Sequence, residues 1–421
     1  MTARPPIRRR LRLVGGVLSA TLLGTPALGA CSGGFGTGGS APSTNRSGSA
    51  SAGSRASAGA EAAALAVVYG HARAGMLNAV ARRARPLVYV PNLGNNSVDV
   101  IDPRTYRIVG TFAVPAQPQH VVPSWDMKTL WVNDNKGNTL TPINPMTGRP
   151  GRSVPVDDPY NLYFSPDGKH AIVMAEARDR IDFRDPHTMK LQRSLRVPCH
   201  GINHADFTAD LRTFLVSCEY SGELLVVPSG GGKVSGVIDL NTIATPGATD
   251  PMSAMHGGGP AEYIDPGTTA MPQDVRLAPD GATFVVADML RNGIWLVDAA
   301  TFKVRRFLPT GKGAHGVYPS RDASVLYVSN RDGGTVSVVD AATLTPRATW
   351  VIPGGGSPDM GGVTADGRQL WLSGRSNEVV YVLDTSNGRL IKKIPVGLQP
   401  HGLCVWPQPG RFSLGHTGNT R

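Results

Sequence analysis

From Leu87 onward the chain repeats a unit of about 40–45 residues, and few folds accommodate such a period. Each unit holds a short alternating strand, a polar turn, a second strand ending in Asp, and a third leading to Pro or Gly. The Asp-terminated strands show the repeat best: 97–102 (SVDVID), 293–298 (GIWLVD), 335–340 (TVSVVD) and 379–384 (VVYVLD). A further strand precedes each set and often runs into Asp-Gly, as at 161–168 (NLYFSPDG) and 274–281 (DVRLAPDG), a strong hairpin signal. Four strands per 40–45 residues is the signature of a propeller blade. Seven units can be counted. The first opens on what should be its second strand, Leu87–Pro91, and the last apolar segment, His401–Trp406, supplies the missing strand. The expected fold is therefore all-β, a single seven-bladed β-propeller over residues 86–421, closed by its C-terminal strand so that no sheet edge stays open.

Three segments carry a family resemblance: 89–92 (YVPN), 131–134 (WVND) and 327–330 (YVSN). They resemble the YVTN repeat of YncE-like bacterial propellers, and the ending 400–410 is similar to exported actinobacterial members. The resemblance spans residues 86–421 and implies the fold. It implies little chemistry, because related propellers include sugar lactonases, haem-binding domains and surface proteins without a known reaction.

Composition has to be apportioned before it is used. The chain of 421 residues carries +11, which would suggest a nucleic-acid partner. Residues 1–85 hold eleven arginines against one acid, Glu61, so they account for +10 and the propeller for only +1. A near-neutral body supplies little phosphate-neutralising field, so nucleic acid is not an expected partner. The basic run before an apolar stretch at 13–23 has the form of an export signal, too short to span a bilayer. Residues 28–31 (LGAC) resemble a bacterial lipobox, which implies cleavage after residue 30 and lipid attachment to Cys31. A Gly/Ser-rich tether follows over 31–58, then an Ala-rich stretch, 59–85, whose helical tendency Gly70 and Gly75 weaken. The expected location is the outer face of the cytoplasmic membrane, held by a lipid anchor, with secretion as the alternative. A monomer is expected.

Aligning the first strand of each unit puts His120, Asn161, His204, Asp274, His315, Met360 and His401 in one register, a ring around the channel. The ends of the second strands align as Asn92, Asp134, Glu176, Glu219, Asp288, Asn330 and Gly374. Imidazoles and carboxylates should then converge at one mouth of the channel. Such a set suits zinc or copper, whereas carboxylates with Asn carbonyls suit calcium. A hydrated polar channel wall without a ligand accounts for the same residues. An insertion over about 241–272 projects from the same mouth, with His256, Glu262 and Asp265 placed to reach over it as a lid. Cys199 and Cys218 flank one hairpin and are candidates for a disulfide. A metal cluster of these two with His200 and His204 is the rival arrangement, while Cys404 belongs to an apolar strand.

No G-x-S-x-G, H-E-x-x-H, C-x-x-C or P-loop motif occurs, so no nucleophile is assigned and enzymatic activity stays open. The leading expectation is a module that binds a small molecule or an envelope protein. The alternatives are a metal-dependent lactonase-like hydrolase at the channel mouth, and a haem- or copper-binding redox propeller.

Overall fold

The computed structural model describes residues 68–245, 264–416 and 418–421. Seven antiparallel sheets are built from successive strands. In the first, Leu87–Asn92 pairs outward with Ser97–Asp102 and inward with Cys404–Trp406, in the register Leu87↔Trp406, Val88↔Val405, Tyr89↔Cys404. The C-terminal strand thus closes the ring, as the repeat requires. The inner three strands of each blade are buried on both faces, while outer strands such as Arg107–Ala113 and Leu191–Arg196 are largely exposed.

The first hairpin of each blade has a local cause more general than Asp-Gly. In five blades a hydroxyl two residues before an Asp donates to its carboxylate: Ser124 to Asp126, Ser165 to Asp167, Thr208 to Asp210, Ser320 to Asp322 and Thr364 to Asp366. The next residue turns left-handed. Gly takes that position at 168 and 367, as it does at 281 in the blade where Ala278 replaces the hydroxyl, but Met127, Leu211 and Ala323 adopt it too, at φ 60, 63 and 60°. The side-chain bond to the turn offsets the cost of placing a β-carbon there.

In four blades the last residue of the second strand ties that strand to the third. Asn92 donates to Ser97 and Asp99, Asn330 donates to Thr335 and Ser337, and Asp134 accepts from Thr139 and Thr141. Asp288 accepts from the Met271 and Arg291 amides and from the Trp295 indole. These residues, Asp288 among them, clamp a blade instead of lining the channel as the alignment of strand ends suggested.

Asp134 suits this position least. Burial pushes its carboxyl up to about 7, although the Thr141 and Thr139 hydroxyls pull it back. A folded-state value above the usual 3.8 means that folding binds a proton, so this residue's penalty grows as pH rises from 3.8 towards 7. Asp134→Asn, which installs the residue found in blades 1 and 6, is expected to raise the melting temperature at pH 8. The gain should vanish near pH 4. A variant less stable than the wild type at pH 8 would contradict this account.

Two segments outside the blades complete the body. Residues 68–85, in the stretch whose composition gave a weak helical tendency, hold one short 3-10 turn, Ala81–Arg83, and pack on the propeller. Tyr69 donates to the Leu277 carbonyl, and Val68 and Ala72 join the core of the fourth and fifth blades. After Trp406 the chain turns back and adds Ser413–Gly415 inside the third blade, with Gly415 opposite Tyr163. Cys199 and Cys218 are joined in a disulfide, with Cα atoms 6.0 Å apart, and Cys404 is a buried free thiol.

Candidate functional site

A repeated β-bulge shapes the channel wall. In six blades the pairing of first with second strand skips, as from Pro118↔Asp134 to Val121↔Val132, or is shifted at the equivalent place in blade 3. Where it skips, two first-strand residues oppose one partner, so consecutive side chains both serve the channel. Pairing places His120, Asn161, His204, Asp274, Gly316, Met360 and Gly402 at the deeper position. Gln119, Tyr160, Asn203, Gln273, His315, Asp359 and His401 precede them. His315 and His401 therefore sit one residue earlier than the sequence alignment put them, with glycine in the position assigned to each. The bulge hides this, because either of two adjacent residues can face the axis. Glu176 and Glu219 lie likewise one residue beyond their strand ends, in register with Arg331 and Arg375 at the rim.

The glycines make room for rings. A β-carbon at Gly402 would lie 2.1 Å from Cδ2 of His120. Gly402 and the His120 strand also exchange backbone bonds, Gly402 donating to Gln119 and Val121 to Gly402.

All four predicted histidines converge, and a fifth joins them. Ring centroids lie 4.9 Å apart for His120–His401, 5.5 Å for His120–His204, 5.7 Å for His315–His401 and 6.3 Å for His204–His315. His416, from the returning C-terminal segment, lies 4.8 Å from His204 and 5.2 Å from His120. One ligand nitrogen from each of His120, His204 and His416 lies within 4.8 Å of the others, and all three residues are buried. His416 escaped the sequence argument because it falls after the last repeat. The only signal was a Leu-Gly-His run after a Pro-rich break.

Hydrogen bonds fix which nitrogen of each ring faces the axis. Nδ1 of His120 donates to the Tyr160 carbonyl (3.0 Å), Nδ1 of His204 to Asn203 Oδ1 (3.1 Å) and Nδ1 of His401 to Asp359 Oδ2 (2.7 Å). The Nε2 atom of each is then an unprotonated acceptor, and none of the three has a hydrogen-bond partner among the described residues. His315 differs: Arg331 donates to its Nε2, and its Nδ1 lies 3.1 Å from Asp359 Oδ1. Burial lowers the pKa of every ring, to about 4 for His401 and well below the usual range for the other four.

Towards the open mouth the wall becomes charged. Burial alone would raise Asp359, but Arg331, His315 and His401 outweigh it and hold the carboxylate well below its usual range. Arg331 bonds Asp359 through Nε (2.9 Å) and Nη2 (2.7 Å), and Arg375 stands 3.8 Å from its other oxygen. Opposite them, burial raises the carboxyl of Glu176, with the Glu219 charge adding to the rise, and burial raises Glu219 against the pull of Gln273, Arg331 and Arg375. Asn203 donates to Glu219 (2.8 Å) and so links the rim to His204.

The other end is closed. Ser413 bonds the Pro123 and Trp125 carbonyls, His416 bonds the Leu162 carbonyl, and Asn419 and Arg421 both bond Asp206 Oδ1. Asp274, expected as a ligand at the mouth, faces this end. It lies 3.5 Å from Arg276 and, through its other oxygen, 3.5 Å from His416 Nε2. Asn161 bonds the Leu162 amide and His416 Nδ1, and Met360 Sδ receives the Tyr318 hydroxyl. His256 and Glu262 lie outside the described residues, as do Cys31 and the leader. Asp265 donates its amide to the Tyr220 carbonyl at the foot of the insertion.

The profile of the YNCE-like beta-propeller family matches residues 54–189 and 268–409, about two thirds of the chain. The chain belongs to that family. No curated protein matches the YNCE-like sequence. Among solved structures, hydrazine synthase of Kuenenia stuttgartiensis superposes with a TM-score of 0.57 at 18% identity, covering 72% of this chain and 94% of that one. The dihydro-heme d1 dehydrogenase NirN in complex with DHE gives 0.55 at 14%, covering 80% of each chain. A functionally unknown protein from Desulfotomaculum acetoxidans gives 0.58 at 14%, covering 77% of this chain and 99% of that one. At such identities the likeness is one of fold alone.

Proposed function

We propose that this YNCE-like propeller is exported, anchored to the envelope through Cys31, and binds a small polar ligand in its one-ended channel. One observation carries the reading. Six polar atoms of the channel wall, Gln119 Oε1, His120 Nε2, Glu176 Oε1, His204 Nε2, Gln273 Oε1 and His401 Nε2, are buried with no hydrogen-bond partner among the described residues. Buried polar groups are ordinarily satisfied, and a cluster left open around one axis fits a guest that completes it. The closed end makes the charged mouth the route of entry, and Arg331, Arg375, Glu176 and Glu219 sort what enters by charge. The rigid seven-bladed ring holds these groups in place before binding.

Mass spectrometry of the full protein extracted from its own envelope tests both halves. Under denaturing conditions the mass should show cleavage before Cys31 and acyl chains on it. Under native conditions an additional bound mass should appear, and Gln273→Leu should lose it. A polypeptide mass without acyl chains removes the anchor, and a native mass equal to the denatured one removes the channel ligand.

A further inference from the structure

From the deep histidines we infer that His120, His204 and His416 form a site for one divalent transition-metal ion of zinc or copper type. The inference deepens the channel-ligand reading, on which it rests, by naming the chemical class of the guest.

Four features of the site converge on this chemistry. The first is the donor set: three imidazoles with no carboxylate between them suit zinc or copper, and offer nothing to calcium or magnesium, which take oxygen. The second is spacing. Metal–nitrogen bonds of about 2.0–2.1 Å place tetrahedral donor nitrogens roughly 3.4 Å apart. The three nitrogens already lie within 4.8 Å of one another, so modest side-chain movement closes the set. The third is tautomer. His120 and His204 commit Nδ1–H to oxygen acceptors and aim a lone pair inward from Nε2, with no partner for it. That is the arrangement in which an outer hydrogen bond orients a metal-ligating imidazole. The fourth lies around the donors. Asp274 stands beside His416 at 3.5 Å, a carboxylate placed to polarise that ring, and Asn203 connects His204 to Glu219.

His416 has a contact on each nitrogen, Asn161 at Nδ1 and Asp274 at Nε2, so ligation exchanges one of these for the metal. The unpartnered nitrogens of His120 and His204 carry the site, and His416 completes it from the chain that seals the channel floor. His401, 4.9 Å from His120 with its own open Nε2, stands on the side of the mouth, where a fourth ligand enters. A satisfied stack of core histidines would also be buried and neutral, but it would not leave these nitrogens unpaired.

The full chain is stripped with a chelator, loaded separately with zinc and copper sulfate, desalted and analysed for metal content. About one ion per chain is expected, with copper the tighter of the two. His204→Gln and His416→Gln should each weaken binding by at least about 100-fold, and Asn203→Ala by about 10–100-fold, the usual effect of losing a ring-orienting partner. His187→Gln, an exposed imidazole, should change nothing. The melting temperature of each metal-free variant is measured alongside. If a glutamine variant does not fold, Asn203→Ala and the Cu(II) electron paramagnetic resonance of the wild type decide, since coordinated imidazole nitrogens split the copper signal. Less than about 0.1 ion per chain, or unchanged affinity in the folded variants, overturns the site. A wild type without metal whose native mass still shows a guest lost in Gln273→Leu overturns the metal alone. No metal and no guest overturns the channel reading as well.

Discussion

Deleting residues 404–421 is expected to leave the chain without a cooperative thermal transition. The deletion removes Cys404–Trp406, the innermost strand of the first blade, and exposes the inner edge of its neighbour at Leu87, Val88 and Tyr89. It withdraws the fully buried Trp406 and Leu414 and the nearly buried Val405. Full burial of such side chains stabilises by about 1.5–3 kcal/mol each. It also removes Arg421, the guanidinium that bonds the buried Asp206, and breaking a buried pair on one side costs about 3–5 kcal/mol. Together these losses rival the whole stability of an ordinary domain, about 5–15 kcal/mol. Deleting only 411–421 keeps the ring closed, so that protein should still melt cooperatively, at a lower temperature. Circular dichroism of both truncations against temperature provides the check. A 404–421 deletion that melts like the wild type would show that closure does not depend on this strand.

Gly402→Ala should destabilise the propeller by about 1–3 kcal/mol, the usual cost of overpacking a core. The added methyl would fall 2.1 Å from Cδ2 and 2.7 Å from Cγ of His120. That ring cannot swing aside freely, being bonded to the Tyr160 carbonyl and flanked by His204, His401 and His416. Gly110 in the outer strand of the first blade has open space around its α-carbon, so Gly110→Ala should shift stability by less than about 0.5 kcal/mol. Chemical denaturation of both variants tests the pair. Combining Gly402→Ala with His120→Ala should cost less than the two single losses added, because the second change removes the obstacle to the first. Strict additivity would refute the steric account.

Repetition made the architecture legible. A buried strand that recurs seven times, four of them ending in Asp, cannot be mistaken, and the missing inner strand of the first blade demanded its counterpart in the last apolar segment. The disulfide hairpin and the convergence of His120, His204, His315 and His401 on the axis could be placed from the same periodicity. The register within each strand could not. A bulge lets two consecutive residues share one face, so spacing of 41 to 45 residues does not distinguish His315 from Gly316, or His401 from Gly402. The strand-end acids were misplaced for a related reason. Asp134 and Asp288 find donors within their own blade, and only the turn residues Glu176 and Glu219, one step further, reach the rim.

The sequence by itself determined the seven blades, their closure and the polar character of the channel, because each follows from periodicity and from the need to leave no edge unpaired. Tertiary structure alone decided that the far end is closed and that His416 enters the histidine cluster. Residues 407–421 belong to no repeat, and their position depends on particular partners, Asp206 for Arg421 and Asn419, Asp274 and Asn161 for His416. It also decided which imidazole nitrogens face the axis, since tautomer follows from the neighbour each ring meets in space. Those neighbours, Tyr160, Asn203 and Asp359, are brought to the rings by three different strands.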